Sequence, residues 1–155
     1  MNRKPAWLLI LVPFLMGWEG IDLVARHQAI DPPSVITYCI GRTNADGGHV
    51  RPGQHFSREQ CKEYLIHDSP KYNAALMACY PMDTLPPNRH AALVSFGYNV
   101  GPGTFCKSSV VRYLKQGRIR DACNALLRYD RANGRYLKGL HNRRVAERAL
   151  CLRED

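Results

Sequence analysis

EGIDLVARHQAIDPPSVITYCIGRT, residues 19–43, carries the strongest structural signals in the chain. It follows an apolar segment, Ala6–Trp18, that contains no charged residue. Residues 19–27 predict a continuation of a helix from that segment, which two consecutive prolines then stop. The β-branched and aromatic run Val35–Ile40 predicts a strand.

Residues 44–56, which follow this stretch, predict the rest of a small β-hairpin region. Residues 44–48 predict a turn, and residues 49–56 predict a second short strand. Ser57 and Gln60 then form a capping box that opens a helix to about His67. Ser69-Pro70 is expected to break or restart this helix, because proline lacks the backbone N–H.

The remainder of the chain has helical patterning. Helix 88–100 is apolar on nearly all sides and should lie at the centre of the fold, and Ser108 is expected to cap the helix that follows it. The predicted helices beyond the break are 72–79, 88–100, 109–116, 119–129 and about 141–152. The fold class is therefore α+β, mostly helical, with a small sheet near the N-terminus.

Composition and charge narrow the classes of partner. The chain has 155 residues and a net charge of +9, from 22 Lys and Arg against 13 Asp and Glu. Such an excess attracts nucleic acid, anionic lipid or the carboxylate-rich bacterial wall. The basic residues are scattered and no nucleic-acid-binding motif is present, so we expect no nucleic-acid partner.

Six cysteines are spread evenly along the chain, at 39, 61, 79, 106, 123 and 151. They form no CxxC pair and no zinc-finger spacing, and this pattern favours three disulfides in an oxidising compartment. The alternative is six buried thiols in a cytosolic protein. All fifteen pairings stay open, with Cys106–Cys123 the first expectation because a loop joins two short predicted helices there.

Three residues in the opening block suggest glycoside hydrolysis. Glu19 lies at a predicted helix end, Asp31 in a loop, and Thr37 at the entry to a strand. Hydrolysis with inversion needs one carboxylic acid to protonate the leaving oxygen and a second group to position a water, with the carboxyls roughly 6.5–9.5 Å apart. The alternative on spacing alone is that Glu19 is an ordinary solvated glutamate.

Several motifs occur in order along about residues 15–152. They are Glu19-Gly20, Asp31-x5-Thr37, Thr37-Tyr-Cys39-Ile-Gly41-Arg-Thr43, Phe56–Cys61, Ala91–Ser108 and Gly139–Arg148. In these motifs the chain resembles the phage-type lysozymes, glycoside hydrolase family 24, in the subgroup of signal-anchor (SAR-like) endolysins.

The resemblance implies a lysozyme-like fold, with an active-site cleft between the small β-hairpin sheet and the helical bundle. It also implies an endolysin for host-cell lysis. Such an enzyme is a muramidase that hydrolyses the β-1,4 bond between N-acetylmuramic acid and N-acetylglucosamine in peptidoglycan. Glu19 would be the general acid, and Asp31 and Thr37 would position the water.

The spacing departs from the family pattern at one point. Eight residues usually separate the glutamate from the aspartate, which would give position 28 the acidic role, but that position holds Gln28. Eleven residues separate Glu19 from Asp31. We favour Asp31, because its distance to Thr37 is the family's distance.

Other candidates have weaker support. Asp22, one helical turn past Glu19, would sit too close for an inverting pair and is expected to be structural. His27 has no accompanying Ser or Cys nucleophile motif. No HExxH, P-loop or nucleotide-binding fingerprint is present, and the six histidines lack metal-ligand spacing. We therefore expect neither a cofactor nor a metal.

Two other functions remain open. A lytic transglycosylase also needs an acidic residue near a cleft, and a 1,6-anhydro product in place of a reducing muramic end would identify it. A cationic membrane-disrupting protein that is not an enzyme would account for the charge and the apolar start. It would leave the block Glu19–Thr43 unexplained.

The N-terminus suggests export. Arg3 and Lys4 precede Ala6–Trp18, which resembles a signal-peptide apolar region but is short for a spanning helix of roughly twenty residues. The expected organisation is residues 1–18 as a signal-anchor-like segment merging into helix one, and 19–155 as the catalytic domain. We expect a monomer exported to the periplasm of a Gram-negative host, with peptidoglycan as partner and transient inner-membrane association through Ala6–Trp18 before release. The alternative is a core helix in a cytoplasmic enzyme.

Overall fold

The computed structural model describes residues 3–29, 31–46 and 49–155. The α-helices are α1 (Ala6–Trp18), α2 (Arg58–Met77), α3 (Pro87–Val100), α4 (Pro102–Lys107), α5 (Ser109–Lys115), α6 (Ile119–Ala125) and α7 (Lys138–Leu152). The strands are β1 (Asp22–Arg26), β2 (Thr37–Cys39), β3 (Arg42–Thr43), β4 (Arg131–Ala132) and β5 (Arg135–Tyr136). The mostly helical α+β class predicted from the sequence is confirmed.

The chain divides into two compact units. The smaller unit is Val12–Asp68, and the larger unit joins the described residues up to Leu11 with Ser69–Asp155. Within the part of the chain that the structure describes, no helix combines the length and the apolar character needed to cross a membrane.

The smaller unit contains an antiparallel sheet in the order β1-β2-β3. Asp22 lies opposite Cys39 and Arg26 opposite Thr37, so the longer β1 carries a bulge against the shorter β2. Tyr38 stacks on Phe56 with ring centroids 4.7 Å apart. One buried cluster in this unit consists of Ala25, Ile36, Tyr38, Cys39, Phe56 and Cys61.

Two expectations for this region are wrong. Residues 19–27 do not continue the first helix, because Asp22–Arg26 is strand β1. Gly20 favours the end of α1, and pairing with β2 outweighs the local helical pattern. Residues 49–56 do not form a regular strand: pairing with β1 is confined to residues 53–56, where His55 lies opposite Val24 and the Phe56 amide donates to the Leu23 carbonyl at 2.8 Å. Pro52 cannot donate to a strand ladder and Gly53 has a φ of +83°, so the chain turns there.

The turn predicted for 44–48 is partly observed. Asn44–Asp46 form a single 3-10 turn, which follows directly on β3. Residues 47 and 48 lie outside the described residues.

Helix α2 begins as predicted but does not break. The Ser57 amide donates to Gln60 Oε1 at 2.7 Å and the Gln60 amide donates to Ser57 Oγ at 3.0 Å, which confirms the capping box. The helix then runs 20 residues with Pro70 inside it. Proline removes one hydrogen bond, but burial of Leu65 and Leu76 before and after it stabilises the uninterrupted helix.

The larger unit is built around α3, as the apolar pattern predicted. Residues 88–97 are all buried, and Gly101 ends the helix with a φ of +87°. The Ser108 hydroxyl accepts from the Val111 amide at 3.2 Å, which confirms the predicted cap of α5. Three details differ from the expectation: Pro102 begins α4, α6 ends at Ala125, and β4 and β5 form a hairpin before α7.

A buried ion cluster joins α3 to α7. Glu147 Oε1 lies 2.6 Å from Arg144 Nη1, and Oε2 lies 3.5 Å from Arg143 Nε. The Ser95 hydroxyl donates to Oε2 at 2.7 Å. Burial raises the pKa of Glu147, while the charges of Arg144 and Arg143 act in the opposite direction. Every charge in the cluster is paired, as buried charges require.

Three disulfides are formed, as predicted, but the first expected pair is wrong. Cys106, in α4, bonds to Cys79, two residues after the end of α2, and not to Cys123, because α6 packs on α7 and so brings Cys123 to Cys151. The bonded pairs and their Cα–Cα distances are Cys39–Cys61 at 4.9 Å, Cys79–Cys106 at 5.5 Å and Cys123–Cys151 at 5.6 Å.

His90 is a buried histidine in the larger unit. Its ring stacks on Trp7 with centroids 4.7 Å apart, and Nε2 lies 2.7 Å from Asn73 Oδ1. Burial lowers the pKa of His90 to about 4, and the Asp83 carboxylate acts in the opposite direction. The ring is therefore neutral in the folded protein at neutral pH.

This environment predicts a pH-dependent stability. The unfolded chain binds a proton at His90 below pH about 6.5, and the folded chain does so only near pH 4. The stability that His90 contributes is present above pH about 6.5 and is lost as the pH falls towards 4. Between pH 7.5 and 4.5, we expect urea unfolding of the wild type to lose on the order of 1–2 kcal/mol more than His90→Gln, allowing for solvent screening. Exposed His49→Gln is the control, and parallel curves for wild type and His90→Gln would contradict the prediction.

Candidate active site

Glu19 lies at the carboxyl end of α1. Its backbone amide donates to the Leu15 carbonyl at 2.8 Å, which holds it in register with the last helical turn. Its side chain is partly buried, and Gly20 follows it before β1 begins. The predicted position at a helix end is therefore observed, although the helix stops directly before this residue.

Thr37 begins β2 and is buried, with 6% of its surface exposed. It lies opposite Arg26 in β1 and opposite Thr43 in β3, so backbone pairing holds it from both sides. A β-branched residue in the central strand of a sheet has few side-chain rotamers. The Thr37 hydroxyl is consequently held in a defined direction.

The structure brings Asp31 and Thr37 together. The Thr37 hydroxyl donates to Asp31 Oδ2 at 3.5 Å, the long end of hydrogen-bonding distance. The Asp31 amide donates to the Gln28 carbonyl at 3.1 Å, which closes a turn, and the Asp31 side chain is partly buried. Five intervening residues thus return the chain from a loop carboxylate to the strand hydroxyl.

Gln28 has a different neighbour. Its Nε2 donates to Asp22 Oδ2 at 3.2 Å, and the Asp22 carboxylate also pairs with Arg26 at 2.8 Å. Asp22, which lies in β1 and not one helical turn past Glu19, is therefore held by an amide and a guanidinium. The contact with Thr37 is made by Asp31, and Gln28 turns towards the sheet.

Asn44 fixes the loop that carries Asp31, a role that its position in the sequence does not indicate. Its Oδ1 accepts from the Ile36 amide at 3.0 Å, and its Nδ2 donates to the Ser34 carbonyl at 2.9 Å. His27 Nδ1 lies 3.0 Å from the Val35 carbonyl, so this imidazole also contacts the loop and helps to hold it. Asn44 was predicted only as part of a turn. Its hydrogen bond to Ser34, ten residues earlier, could not be predicted because a contact between two loop residues produces no periodic sequence pattern.

The arrangement has the chemistry of a water-holding pair. A carboxylate accepts hydrogen bonds only, and a hydroxyl both donates and accepts, so together they can orient one water molecule. In residues 3–29, 31–46 and 49–155, no group of three or more His, Cys, Asp or Glu side chains could hold a metal ion.

Comparison with known proteins gives consistent results. The sequence profile of the phage lysozyme family matches residues 16–147. The chain is 35% identical to the SAR-endolysin of Bacteriophage PS119, over 88% of this chain and 79% of the relative. It is 33% identical to the SAR-endolysin of Enterobacteria phage P21, over 92% and 84% of the two chains.

Solved structures agree with the fold. A P22 lysozyme mutant superposes with a TM-score of 0.81 and 27% identity, covering 99% of this chain and 100% of that one. The muramidase domain of SpmX from Asticaccaulis excentricus gives a TM-score of 0.79 and 25% identity, covering 99% of both chains. Together with the family profile, which matches most of the chain, these similarities give one answer. The chain belongs to the phage lysozyme family.

Proposed function

We propose that Glu19, Asp31 and Thr37 carry out the hydrolysis that family membership assigns to this chain. As a phage lysozyme, the chain is a glycoside hydrolase, a muramidase that lyses peptidoglycan. The proposal adds the residues and their roles. Glu19 protonates the oxygen of the leaving sugar, and Asp31 and Thr37 hold the water that attacks the anomeric carbon.

The contact between Thr37 Oγ1 and Asp31 Oδ2 is the observation that carries the proposal. The Asp31 carboxylate accepts a proton from the attacking water, and the Thr37 hydroxyl orients the water's lone pair towards the sugar. The β-1,4 bond between N-acetylmuramic acid and N-acetylglucosamine then breaks as the new C–O bond forms. Attack from the face opposite the leaving group inverts the anomeric centre.

The same contact favours hydrolysis over the two alternative functions. A lytic transglycosylase forms its 1,6-anhydro ring from a hydroxyl of the substrate itself, so it does not need a pair of groups to hold a water. A membrane-disrupting protein does not need the pair either. The pair of Asp31 and Thr37 is therefore accounted for most simply when water is the nucleophile.

We also propose that the apolar segment acts as a signal anchor. The likeness to SAR-endolysins supports export to the periplasm, and residues 1–18 would then precede a catalytic domain of 19–155 that acts as a monomer on peptidoglycan. Five apolar side chains of α1 are buried in the fold: Trp7, Leu8, Leu11, Val12 and Leu15. The apolar side chains that would contact lipid before release would therefore become core afterwards.

The acid is tested first. Glu19→Gln should lower the rate of lysis of outer-membrane-permeabilised cells by at least about 100-fold while the protein stays folded, because an amide cannot protonate the glycosidic oxygen. Glu59→Gln is the matched control, since that side chain is 74% exposed and should keep full activity. A Glu19→Gln protein within about tenfold of the wild type would reject this mechanism.

The water-holding pair gives the second test. Asp31→Ala and Thr37→Ala should each lower kcat strongly, Gln28→Ala should have a milder effect, and Thr37→Ser should keep much of the activity because it retains the hydroxyl. Since Asp31 and Thr37 act as a unit, the double variant should lose little more than the worse single variant. If Gln28→Ala is the more damaging change, position 28 and not 31 holds the second catalytic group.

The third test concerns the anchor. Leu9 lies on α1 but is 60% exposed in the fold, so Leu9→Lys should leave the purified enzyme folded and lytic. In a bilayer the same charge costs about 2.5–3.5 kcal/mol, so the variant should leave the membrane fraction in which we expect the newly made wild type. Leu9→Met is the control. Wild-type protein that is only in the soluble cytoplasmic fraction would contradict the anchor.

A further inference from the structure

Cys39 has an unusual backbone conformation for a strand residue. Its φ is +53°, and among the described residues the one other non-glycine with a positive φ is Asn133. Asparagine tolerates the left-handed region because its short polar side chain bonds locally. Cysteine has no such advantage, so something else must hold Cys39 there.

The position of Cys39 connects this conformation to the proposed site. It is the last residue of β2, and Thr37 is the first. Its Cα lies opposite that of Asp22, in the strand that follows Glu19. The direction of the chain at Cys39 therefore determines how β2 meets both β1 and the turn into β3.

The disulfide to Cys61 supplies the restraint. Cys61 lies in the first turn of α2, where its amide donates to the Ser57 carbonyl at 3.1 Å, and it is fully buried. The Ser57–Gln60 capping box fixes this turn. Cys61 is thus a rigid anchor, and the bond to it holds the Cβ of Cys39 at one point.

Packing alone gives a weaker restraint. The smaller unit spans only Val12–Asp68, and units of this length bury a small core and have little stability of their own. Cys39 and Cys61 themselves belong to the buried cluster beside its sheet. Without the bond, the pairing of Tyr38 with Arg42 and the remaining core residues would have to hold the positive φ at position 39 against the steric preference of an L-residue.

We propose that the Cys39–Cys61 disulfide is a positioning element for the reaction. By holding Cys39 in the left-handed conformation, it fixes β2 so that the Thr37 hydroxyl faces Asp31. Its effect is on turnover and goes beyond the stability that a cross-link supplies. The inference rests on the proposed roles of Thr37 and Asp31.

Glycine at position 39 separates positioning from stability, because glycine adopts a positive φ without steric cost. Cys39→Ala/Cys61→Ala and Cys39→Gly/Cys61→Ala lose the same bond, and because glycine both relieves the strain at position 39 and frees the unfolded chain, the two are compared by the kcat of the folded protein and not by Tm. We expect the alanine pair to lower kcat about tenfold or more with KM little changed. The glycine pair should recover kcat to within about threefold of the wild type.

The controls use the same assay, well below every variant's Tm. Removing Cys79–Cys106 or Cys123–Cys151 with alanine pairs should lower Tm but leave kcat within about twofold, since both bonds lie in the larger unit. In a Thr37→Ala background, Cys39→Ala/Cys61→Ala should cause no further loss of kcat, because the disulfide acts on turnover through Thr37. A purely structural bond would give no such dependence.

The outcomes are distinct. A folded alanine pair with wild-type kcat, or a folded glycine pair as impaired as the alanine pair, overturns the positioning role. If the alanine pair does not fold, Cys39→Ser/Cys61→Ala takes its place, because serine is also strained at a positive φ: a kcat about tenfold or more below that of the glycine pair supports the role, and equal kcat in the two variants overturns it. An active Glu19→Gln alongside the glycine rescue would reject the proposed acid and leave the restraint on β2 in place.

Discussion

Two pairs of facing Cα positions, Asp22 with Cys39 and Arg26 with Thr37, define how β1 and β2 meet. The short sheet formed by this pairing connects the end of α1 to the strand that carries the Thr37 hydroxyl. Glu19 stands three residues before the first pair, and the Asp31 loop is the connection between the two strands. The positions of Glu19, Asp31 and Thr37 thus all depend on the short antiparallel pairing of β1 with β2.

The loop between those strands shows how a short chain specifies such a site. Asn44 bonds to the backbone at Ile36 and Ser34, His27 contacts Val35, and the Asp31 amide closes a turn onto Gln28. None of these contacts buries much apolar surface. They satisfy backbone groups that a loop would otherwise leave to water, and they make the position of Asp31 depend on backbone geometry.

The sequence predicted what depends on local periodicity and on spacing. The capping box of α2, the central helix α3 and the cap of α5 followed from single residues at fixed offsets. The strand at Val35–Ile40 was found as the shorter β2, and Asp31 and Thr37 met as their spacing suggested. What failed depends on tertiary contacts: Asp22–Arg26 forms a strand because β2 lies beside it, and α2 continues through Pro70 because the residues around it are buried. The disulfide partners could not be inferred for the same reason.

The stacked pair Trp7 and His90 has an optical consequence. The chain contains two tryptophans, and Trp7 is 9% exposed while Trp18 is 38% exposed. An indole shielded from water emits at shorter wavelength than one in contact with it, and a protonated imidazole against its face quenches it. Trp7 lies near the N-terminal end of α1, so its emission wavelength reports whether that end of the helix is packed in the fold. Its emission intensity reports whether His90 is neutral.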